Sequence, residues 1–347
     1  MSKESSYGRK NLLISIVFAA LIFFLSIKLD PYNQGQLAVA LMMFIGILSI
    51  VLLTGASGQI SLGQGALMAV GGFAAALSIL NLGFSIWFAI IAAVLAALVA
   101  GLLLGIAAAR LSGPYLAGTT LVIALAIPSL ATRFDSVFAG DVGLNIDFGN
   151  PPGWLTSLMG EVGYEQWQLL ATLPFAALAL FFTANILSSR TGRSWRALRD
   201  HEIAASLAGV KISETKIFVF VISSGFAGLA GVLYGLRGIV GPSVYPISLS
   251  LMLLTGAVLG GIRSIIGALI GAILVVFLPD LIEWLMGFLS PSEQVANYLP
   301  AMISSLLLIL TVVLNPGGIA AGLHQRRPTS FSRLHKVTSL CAYLQIM

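Results

Sequence analysis

The sequence alternates between apolar runs of about 20 residues and short polar connections. Each run can cross a hydrocarbon core of roughly 30 Å as a helix rising about 1.5 Å per residue. The runs are continuously apolar rather than alternating, which favours helices over a transmembrane β-barrel. We therefore expect an all-α polytopic membrane protein with about ten transmembrane helices. The predicted spans are 11–29, 35–54, 60–80, 84–109, 115–132, 167–188, 217–239, 247–262, 264–286 and 298–315.

The composition agrees with a membrane protein. Only 9% of the 347 residues are charged and 58% are hydrophobic, whereas soluble domains carry about 25% charged residues. The net charge of +5 comes from residues at the edges of the predicted spans, so it does not indicate a nucleic-acid partner. Cys341 is the only cysteine, which excludes an intrachain disulfide and a cysteine-based metal site.

The charged residues divide unequally between the two faces of the predicted membrane region. With ten spans, both termini and the even-numbered loops share one face, and 15 of the 18 Lys and Arg residues fall there. The exceptions are Lys28, Arg133 and Arg237. Of the 13 acidic residues, 9 fall on the opposite face. Because an excess of basic residues marks the cytoplasmic side, we predict that both termini are cytoplasmic.

The segments outside the spans differ in character. Residues 1–10 form a short cytoplasmic N-terminus, and the transmembrane domain covers 11–318. The main external loop, 134–166, is rich in Gly, Pro and acidic residues, which suits a docking or gating surface as well as an ordinary solvated loop. The cytoplasmic loop 190–216 carries six basic residues. Residues 319–347 form a basic cytoplasmic tail suited to contact with anionic membrane lipid.

A stretch at 53–72, LTGASGQISLGQGALMAVGG, combines glycines with polar residues near membrane depth. Irregular backbone is tolerated there only where protein or water supplies hydrogen-bond partners for its N–H and C=O groups. This requirement favours a broken helix that lines a cavity. A tight cytoplasmic turn between two spans fits the same residues. A fainter version at 254–271 hints at an internal duplication. The candidate pore-lining residues are Thr54, Ser57, Gln59, Ser61 and Gln64.

Glycines also recur at helical spacing inside the predicted spans. A Gly-x-x-x-Gly pair lets two helix backbones approach closely, so close helix packing is the favoured role. The pairs are Gly101 and Gly105, Gly231 and Gly235, Gly256 and Gly260, and Gly267 and Gly271.

The sequence contains no visible energy-coupling group. The middles of the predicted spans offer Ser, Thr, Asn and Gln but no obvious ionisable residue of the kind that ion-coupled carriers use. The three histidines lie in predicted cytoplasmic segments, and no GxxxxGK[ST] phosphate loop occurs. We therefore expect no catalytic residue, no metal site and no cofactor in this chain.

The loop 190–216 predicts a short amphipathic helix on the cytoplasmic surface. Residues 195–208 contain neither Gly nor Pro. Ser194 or Thr191 suits the N-cap, and Gly209 suits a left-handed stop. Ser213 is expected to cap the span that follows.

The faces of this predicted helix differ in polarity. Residues three or four apart can share a solvated face, which applies to Arg196 with Asp200 and to Arg199 with Glu202. The apolar side would consist of Trp195, Leu198 and Leu207. A helix that only rests on the membrane interface has the same pattern.

Residues 200–209, DHEIAASLAG, carry an acidic residue, paired alanines and a following glycine, as does the loop by which ABC-importer permeases engage their ATPases. Together with three further blocks, the sequence resembles LivM-type permeases of branched-chain amino-acid ABC transporters. These blocks lie in order across 36–280. They are LTGASGQISLGQGALMAVGGFAAAL from Leu53, LSGPYLAGTTLVIALAIPSL from Leu111, GRSWRALRDHEIAASLAGVKISETKIFVFVISSGFAGLAGVLYG from Gly192, and VLGGIRSIIGALIGA from Val258.

The resemblance implies a permease subunit of an ATP-driven importer in the bacterial inner membrane, with a cytoplasmic coupling helix. Its expected solutes are branched-chain or related apolar amino acids. The implied partners are a second, related permease, two cytoplasmic ATPases that bind ATP and Mg, and an external solute-binding protein. The residues implied at the ATPase contact are Arg193, Arg196, Arg199, Asp200, Glu202, Ala204, Ala205 and Gly209.

Several positions depart from the family pattern. Gln64 stands where a histidine is common, the block AGDVGLN from Ala139 is a thinned version of a Gly- and Thr-rich run, and the tail after residue 320 matches no part of the pattern. Urea, amides and other small solutes are imported by relatives and stay open as alternative substrates. Two other classes also stay open: an ion-coupled secondary carrier with its substrate site at the Gly-rich stretch, and a non-transporting membrane scaffold.

Overall fold

A computed structural model describes residues 2–111, 113–287, 302, 306, 309 and 318–320. The predicted tenth span, 298–315, lies almost wholly outside these residues, as does the predicted tail beyond residue 320. Within the described range, the chain is helical apart from one two-stranded sheet and the connections.

Long helices alternate with short connections. A π-helical turn, Val51–Ala56, extends α2. The helices are α1 (Ser2–Lys28), α2 (Pro31–Ile50), α3 (Gln64–Leu82), α4 (Ile86–Arg110), α5 (Pro114–Arg133), α6 (Asp135–Phe138), α7 (Gly153–Met159), α8 (Tyr164–Ser188), α9 (Arg190–Asp200), α10 (Glu202–Leu207), α11 (Ile212–Gly235), α12 (Ile247–Gly260) and α13 (Ile265–Gly287), and the strands are β1 (Leu144–Asp147) and β2 (Arg237–Val240).

Eight helices among the described residues are long and apolar enough to cross a membrane. They correspond to eight of the predicted spans, and the shorter apolar helix α12 corresponds to a ninth. The prediction of an all-α polytopic protein with about ten spans is therefore confirmed as a fold class. The largest boundary differences are at α1, which begins nine residues before the predicted span 11–29, and at α11, which begins five residues before the predicted span 217–239.

Helix α2 forms the centre of the bundle. It is apolar on every side and carries no charged residue, and a helix of this kind must be surrounded by protein or lipid. Here it is surrounded by protein, because α8, α11, α12 and α13 all pack against it. Nearly all of its residues from Leu37 onward are buried.

Glycines set the closest helix contacts. A Cβ added to Gly231 of α11 would lie 1.9 Å from the Met68 carbonyl oxygen of α3, and one added to Gly71 would lie 2.4 Å from the Gly228 carbonyl oxygen. The α12–α13 hairpin closes in the same way, with a Cβ on Gly260 falling 1.8 Å from the Gly267 carbonyl oxygen. Among the predicted glycine pairs, close packing is confirmed at Gly231, Gly260 and Gly267.

The loop 134–166 is more ordered than its glycines and prolines suggest. It contains α6, β1 and α7, and β1 pairs antiparallel with β2 in the register Leu144↔Val240. Gly143, at φ 75°, lets the chain pass against Gly241 beside the pair. Pairing with a distant strand is a tertiary contact, so the loop's local composition gave no sign of it.

Contacts between helix ends distinguish two faces of the bundle. At one face, the Gln36 side chain near the start of α2 donates to Asp280 of α13 at 2.9 Å. At the other, the end of α2 contacts Arg199 and the turn after α12, which contains Arg263. We call this second face, which carries α9, α10 and the turn at 261–264, the basic face.

The α3–α11 contact gives a stability prediction. The substitution Gly231→Ala places a methyl group inside a backbone–backbone contact, and we expect it to destabilise the protein by roughly 1–3 kcal/mol. Gly118→Ala is the matched control, because nothing lies within 4 Å of a Cβ at that exposed helical position. It should leave stability unchanged or raise it by about 0.5–1 kcal/mol. Thermal unfolding midpoints in detergent measure both changes, and equal midpoints would contradict the packing role.

Candidate functional site: a helical pair on the basic face and the helix break beneath it

The loop 190–216 forms two short helices rather than the predicted single helix. Helix α9 ends at Asp200, and His201 adopts an extended backbone (φ −161°, ψ 104°) that separates it from α10. His201 then caps α10, because its Nδ1 accepts a hydrogen bond from the Ala204 N–H at 3.2 Å. Gly209, at φ 86°, supplies the predicted left-handed stop after α10.

The predicted N-caps in this loop are wrong. Ser189 caps α9, with its Oγ accepting from the Gly192 N–H at 3.3 Å. The helix starts earlier than predicted because Ser189 alone separates it from α8, and Gly192 packs against the Ile186 carbonyl. Ser213 does not cap α11, which begins after Lys211 without a side-chain cap.

The apolar side of α9 anchors the pair to the bundle. Trp195 and Leu198 are buried as expected, and the Trp195 ring packs on Phe218 of α11 with centroids 6.3 Å apart. Leu207, predicted on the same side, is instead 85% exposed, and Ile203 of α10 is 68% exposed. The change of direction at His201 therefore gives α10 an outward apolar surface.

The charged side chains of the loop form two ion pairs that involve Arg199 and Glu202. Arg199 bonds its neighbour Asp200 at 2.8 Å, and Glu202 bonds Lys216 of α11 at 2.7 Å. The break at His201 removes Glu202 from the face of α9, so the predicted spacing does not apply to it. Arg196 makes no hydrogen bond or ion pair with any residue that the structure describes.

The residues implied at the ATPase contact therefore fall into two groups. Arg199 and Ala205 face the protein, since the Arg199 side chain is 18% exposed and Ala205 is buried. The exposed group consists of Arg193, Arg196, Asp200, Glu202, Ala204 and Gly209.

Beneath the pair, the chain leaves helical geometry after the π-helical turn and resumes it at Gln64. The Gln64 amide nitrogen donates to Ser223 of α11 at 3.2 Å. Ser223 lies eleven residues after the start of α11 at Ile212, which is about 16 Å along a helix. The chain reverses near the basic face, and the non-helical segment 57–63 runs back inside the bundle before α3 begins. The structure therefore combines a reversal of the chain at the end of α2 with a non-helical segment that precedes α3.

Hydroxyl groups from other helices pair with backbone N–H groups in this segment and in the first turn of α3. The Leu62 N–H donates to Thr120 Oγ1 of α5 at 3.0 Å, and the Gly65 N–H donates to Ser250 Oγ of α12 at 3.0 Å. Such partners are required, because an unpaired backbone group in the membrane interior is unfavourable by several kcal/mol.

A buried polar cluster surrounds Gln64. Its Oε1 accepts from Ser49 Oγ of α2 at 3.2 Å, while Ser223 Oγ donates to the Ser49 carbonyl at 2.9 Å. Ser49 Oγ also reaches the Gly46 carbonyl at 2.6 Å. All three side chains are at most 1% exposed. The cluster therefore joins α2, α3 and α11 deep within the bundle.

The candidate pore-lining residues are mostly enclosed by this chain. Ser57, Gln59, Ser61 and Gln64 are buried, and Thr54 is partly buried, donating to the Gln59 carbonyl at 3.0 Å. The Oε1 of Gln59 has no hydrogen-bond partner among the described residues. Sequence reasoning missed the residues that hold the segment. These are Ser49, Thr120, Lys216, Ser223 and Ser250.

A cavity of about 350 Å³ opens beside the contact between the helical pair and the break. Ser57, Gly58 and Gln59 line one side, and Arg199 and Glu202 line the other. A second cavity, of about 570 Å³, opens on the opposite face between β2 and the start of α12. Its edge carries Arg237, whose guanidinium lies 5.5 Å from the centroid of the Tyr234 ring.

No group of three or more His, Cys, Asp or Glu side chains capable of holding a metal occurs in the described part of the chain.

At the edge of the loop 190–216, the carboxylate of Glu214 accepts a hydrogen bond from the Lys211 amine and raises the pKa of that exposed group. The arrangement is therefore one of buried hydrogen bonds and surface charges.

Residues 34–313 match the family described as the permease component of the branched-chain amino acid transport system. The chain belongs to this permease family. The matched range includes the helix break, α9 and α10, and the family together with the apolar helices makes this permease a multi-pass membrane protein. No solved structure gives a significant match.

This permease is 31% identical over 273 residues to the high-affinity branched-chain amino acid transport system permease protein LivM of Salmonella typhimurium, and 29% identical to that of Escherichia coli. Each match covers 72% of this chain and 64% of the relative, so the chain spans less than two thirds of their length. LivH of Escherichia coli, from the same kind of system, is 32% identical over 152 residues, 44% of this chain and 45% of its own.

The Gln64 cluster gives the second prediction. Gln64→Met removes both polar ends of the side chain yet leaves Ser223 bonded to the Ser49 carbonyl and Ser49 bonded to the Gly46 carbonyl. We expect a loss of at most about 1–2 kcal/mol, because no buried group loses its only partner. Gln64→Glu places an unpaired charge in the same volume and should destabilise by several kcal/mol. Comparison of their unfolding midpoints at neutral pH checks this, and similar midpoints would contradict the enclosed cluster.

Proposed function

We propose that this chain is a translocation subunit of an ATP-driven importer and moves branched-chain or related apolar amino acids across the bacterial inner membrane. The family match over residues 34–313 carries the proposal, since it includes both the buried break and the exposed helical pair. The names of the LivM and LivH relatives support the choice of solute.

In this proposal the basic face is cytoplasmic, together with both termini. The distribution of Lys and Arg supports that orientation, because basic residues are retained on the cytoplasmic side during insertion. The sheet β1–β2 and the loop 134–166 then face the external solution.

The exposed surface of α9 and α10 serves as the ATPase contact. It combines exposed charges with the apolar side chains Ile203 and Leu207, and apolar residues at the centre of a charged patch are typical of protein interfaces. The small side chain of Ala204 lets a partner approach α10 closely. Trp195 and Leu198, which are buried, hold the surface in place.

The energy for transport comes from partner chains. The sequence contains no phosphate loop, so ATP and Mg would bind in two cytoplasmic ATPases. A second, related permease would complete the pathway, and an external binding protein would deliver the solute. The break at 57–63, with Gln59 and Gln64, is the candidate gate of this subunit.

Reconstitution tests the proposal. The chain would be placed in proteoliposomes with a second permease, two ATPases and a solute-binding protein of the same transport system. We expect ATP-dependent uptake of labelled leucine, isoleucine or valine. Uptake of urea or an amide instead would change the solute, whereas uptake driven by an ion gradient without the ATPases would identify a secondary carrier.

The ATPase contact gives the third prediction. Arg196→Glu reverses an exposed charge that has no partner among the described residues, so it should leave the fold intact but weaken ATPase binding and abolish uptake. Lys211→Glu is the matched control, because this residue is exposed in the same loop but lies outside α9 and α10. Co-purification and uptake assays measure both variants. Normal uptake by Arg196→Glu would contradict the contact.

A further inference from the structure

We propose that Arg199 is a positioning residue that transmits movement of α9 and α10 to the helix break, rather than a residue that contacts the ATPase. The proposal rests on the proposed function, because it assumes that an ATPase moves this helical pair. It assigns Arg199 a different role from the exposed arginines Arg193 and Arg196 of the same helix.

The direction of the side chain is the first observation. Arg199 Nη1 donates to the Gly55 carbonyl oxygen at 2.7 Å, across 144 residues of sequence. Its Nε and Nη2 donate to Asp200 Oδ1 at 2.9 and 2.8 Å. Asp200 therefore holds the guanidinium in the orientation that reaches Gly55. These bonds engage the guanidinium inside the protein, so it is not presented to a partner.

The Gly55 carbonyl lies in the last turn of the π-helical extension of α2, where backbone acceptors have no partner within the helix. A cation at this end also interacts favourably with the helix dipole. Gly55 is held from the other side by the turn after α12, since a Cβ there would lie 1.9 Å from the Ile262 carbonyl oxygen. Arg199 is thus bonded to a fixed point at the end of the central helix.

The backbone of the break packs directly on the same arginine. Gly58 has φ 78°, and a Cβ added to it would lie 2.9 Å from Arg199 Cγ and 3.3 Å from its Cα. Displacement of α9 must therefore move Gly58 or separate the two segments.

A second connection joins α10 to the break. Glu202 accepts from Lys216 Nζ at 2.7 Å, and the Lys216 carbonyl accepts from the Gln59 side chain at 3.4 Å. The Lys216 side chain is 9% exposed, and Glu202 is its ion-pair partner. Both helices of the pair are consequently bonded to residues that flank or form the non-helical segment.

The segment leads directly to the buried cluster. Five residues after Gln59, Gln64 bonds Ser49 and Ser223 deep in the bundle, and the next residue bonds Ser250. A cavity of about 350 Å³ lies beside this junction of the pair and the break. Movement on the basic face can therefore reach three helices at membrane depth.

The experiment measures solute imported per ATP hydrolysed in the complete reconstituted transporter. For Arg199→Ala we expect the ATPases to co-purify and hydrolyse ATP within about twofold of the unmodified complex, while solute per ATP falls roughly tenfold, the equivalent of one charge-assisted hydrogen bond. Arg199→Lys should recover part of the ratio, because an ammonium can donate to Gly55 but not also bond Asp200 in the fork geometry of arginine.

Gly58→Ala tests the junction from the other side, since its methyl group would displace the Arg199 stem without altering the surface of α9. We expect the same loss of solute per ATP. Lys211→Ala, an exposed change in the same loop, should keep the ratio of the unmodified complex. If the Arg199→Ala protein does not accumulate, the solute imported per ATP in Arg199→Lys and Gly58→Ala tests whether the junction transmits movement.

Two results would overturn the proposal. An unchanged ratio of solute to ATP in Arg199→Lys and Gly58→Ala would show that the junction transmits nothing. Loss of ATPase co-purification in Arg199→Ala, as expected for Arg196→Glu, would make Arg199 an ATPase contact. Failure of the proposed function itself is distinguishable, because the unmodified complex would then show no ATP-dependent uptake.

Discussion

The structure depends on one constraint, which is that backbone N–H and C=O groups inside a hydrocarbon layer need partners from the protein. Helices satisfy this requirement internally, but the segment 57–63 does not. Thr120 of α5 accepts from its Leu62 N–H, and Ser250 of α12 accepts from the Gly65 N–H in the first turn of α3. The bundle must therefore keep these helices around the break, and any movement of the break must exchange these hydrogen bonds for others.

The helices can gather so closely because glycine removes the side chains between them. At Gly231 and Gly71 the backbones of α3 and α11 touch, which aligns Gln64 with Ser223 and Ser49. Small residues therefore position the polar cluster, although they take no part in its hydrogen bonds. Close packing is also what makes the junction stiff, because tightly packed helices move as units.

In the helical pair on the basic face, the residues that anchor the pair to the bundle differ from those that form its exposed surface. Trp195 and Leu198 anchor α9, while the break at His201 turns Ile203 and Leu207 of α10 outward. Arg199 belongs to neither surface, since it extends inward to the end of α2. The short helices α9 and α10 thus contact the interior of the bundle and also present an exposed surface.

The sequence by itself determined the apolar spans, the division of basic and acidic residues, the glycine pairs and the family, because each depends on local composition or on motifs that survive in order. Only the tertiary structure decided the rest. Spacing along a single ideal helix placed Arg199 and Glu202 on one face. The extended backbone at His201 separates them, and they bond to Gly55 and Lys216 instead. The partners of Gln64 lie on helices remote in sequence, and hydrogen bonds between remote helices leave no periodic pattern in the chain.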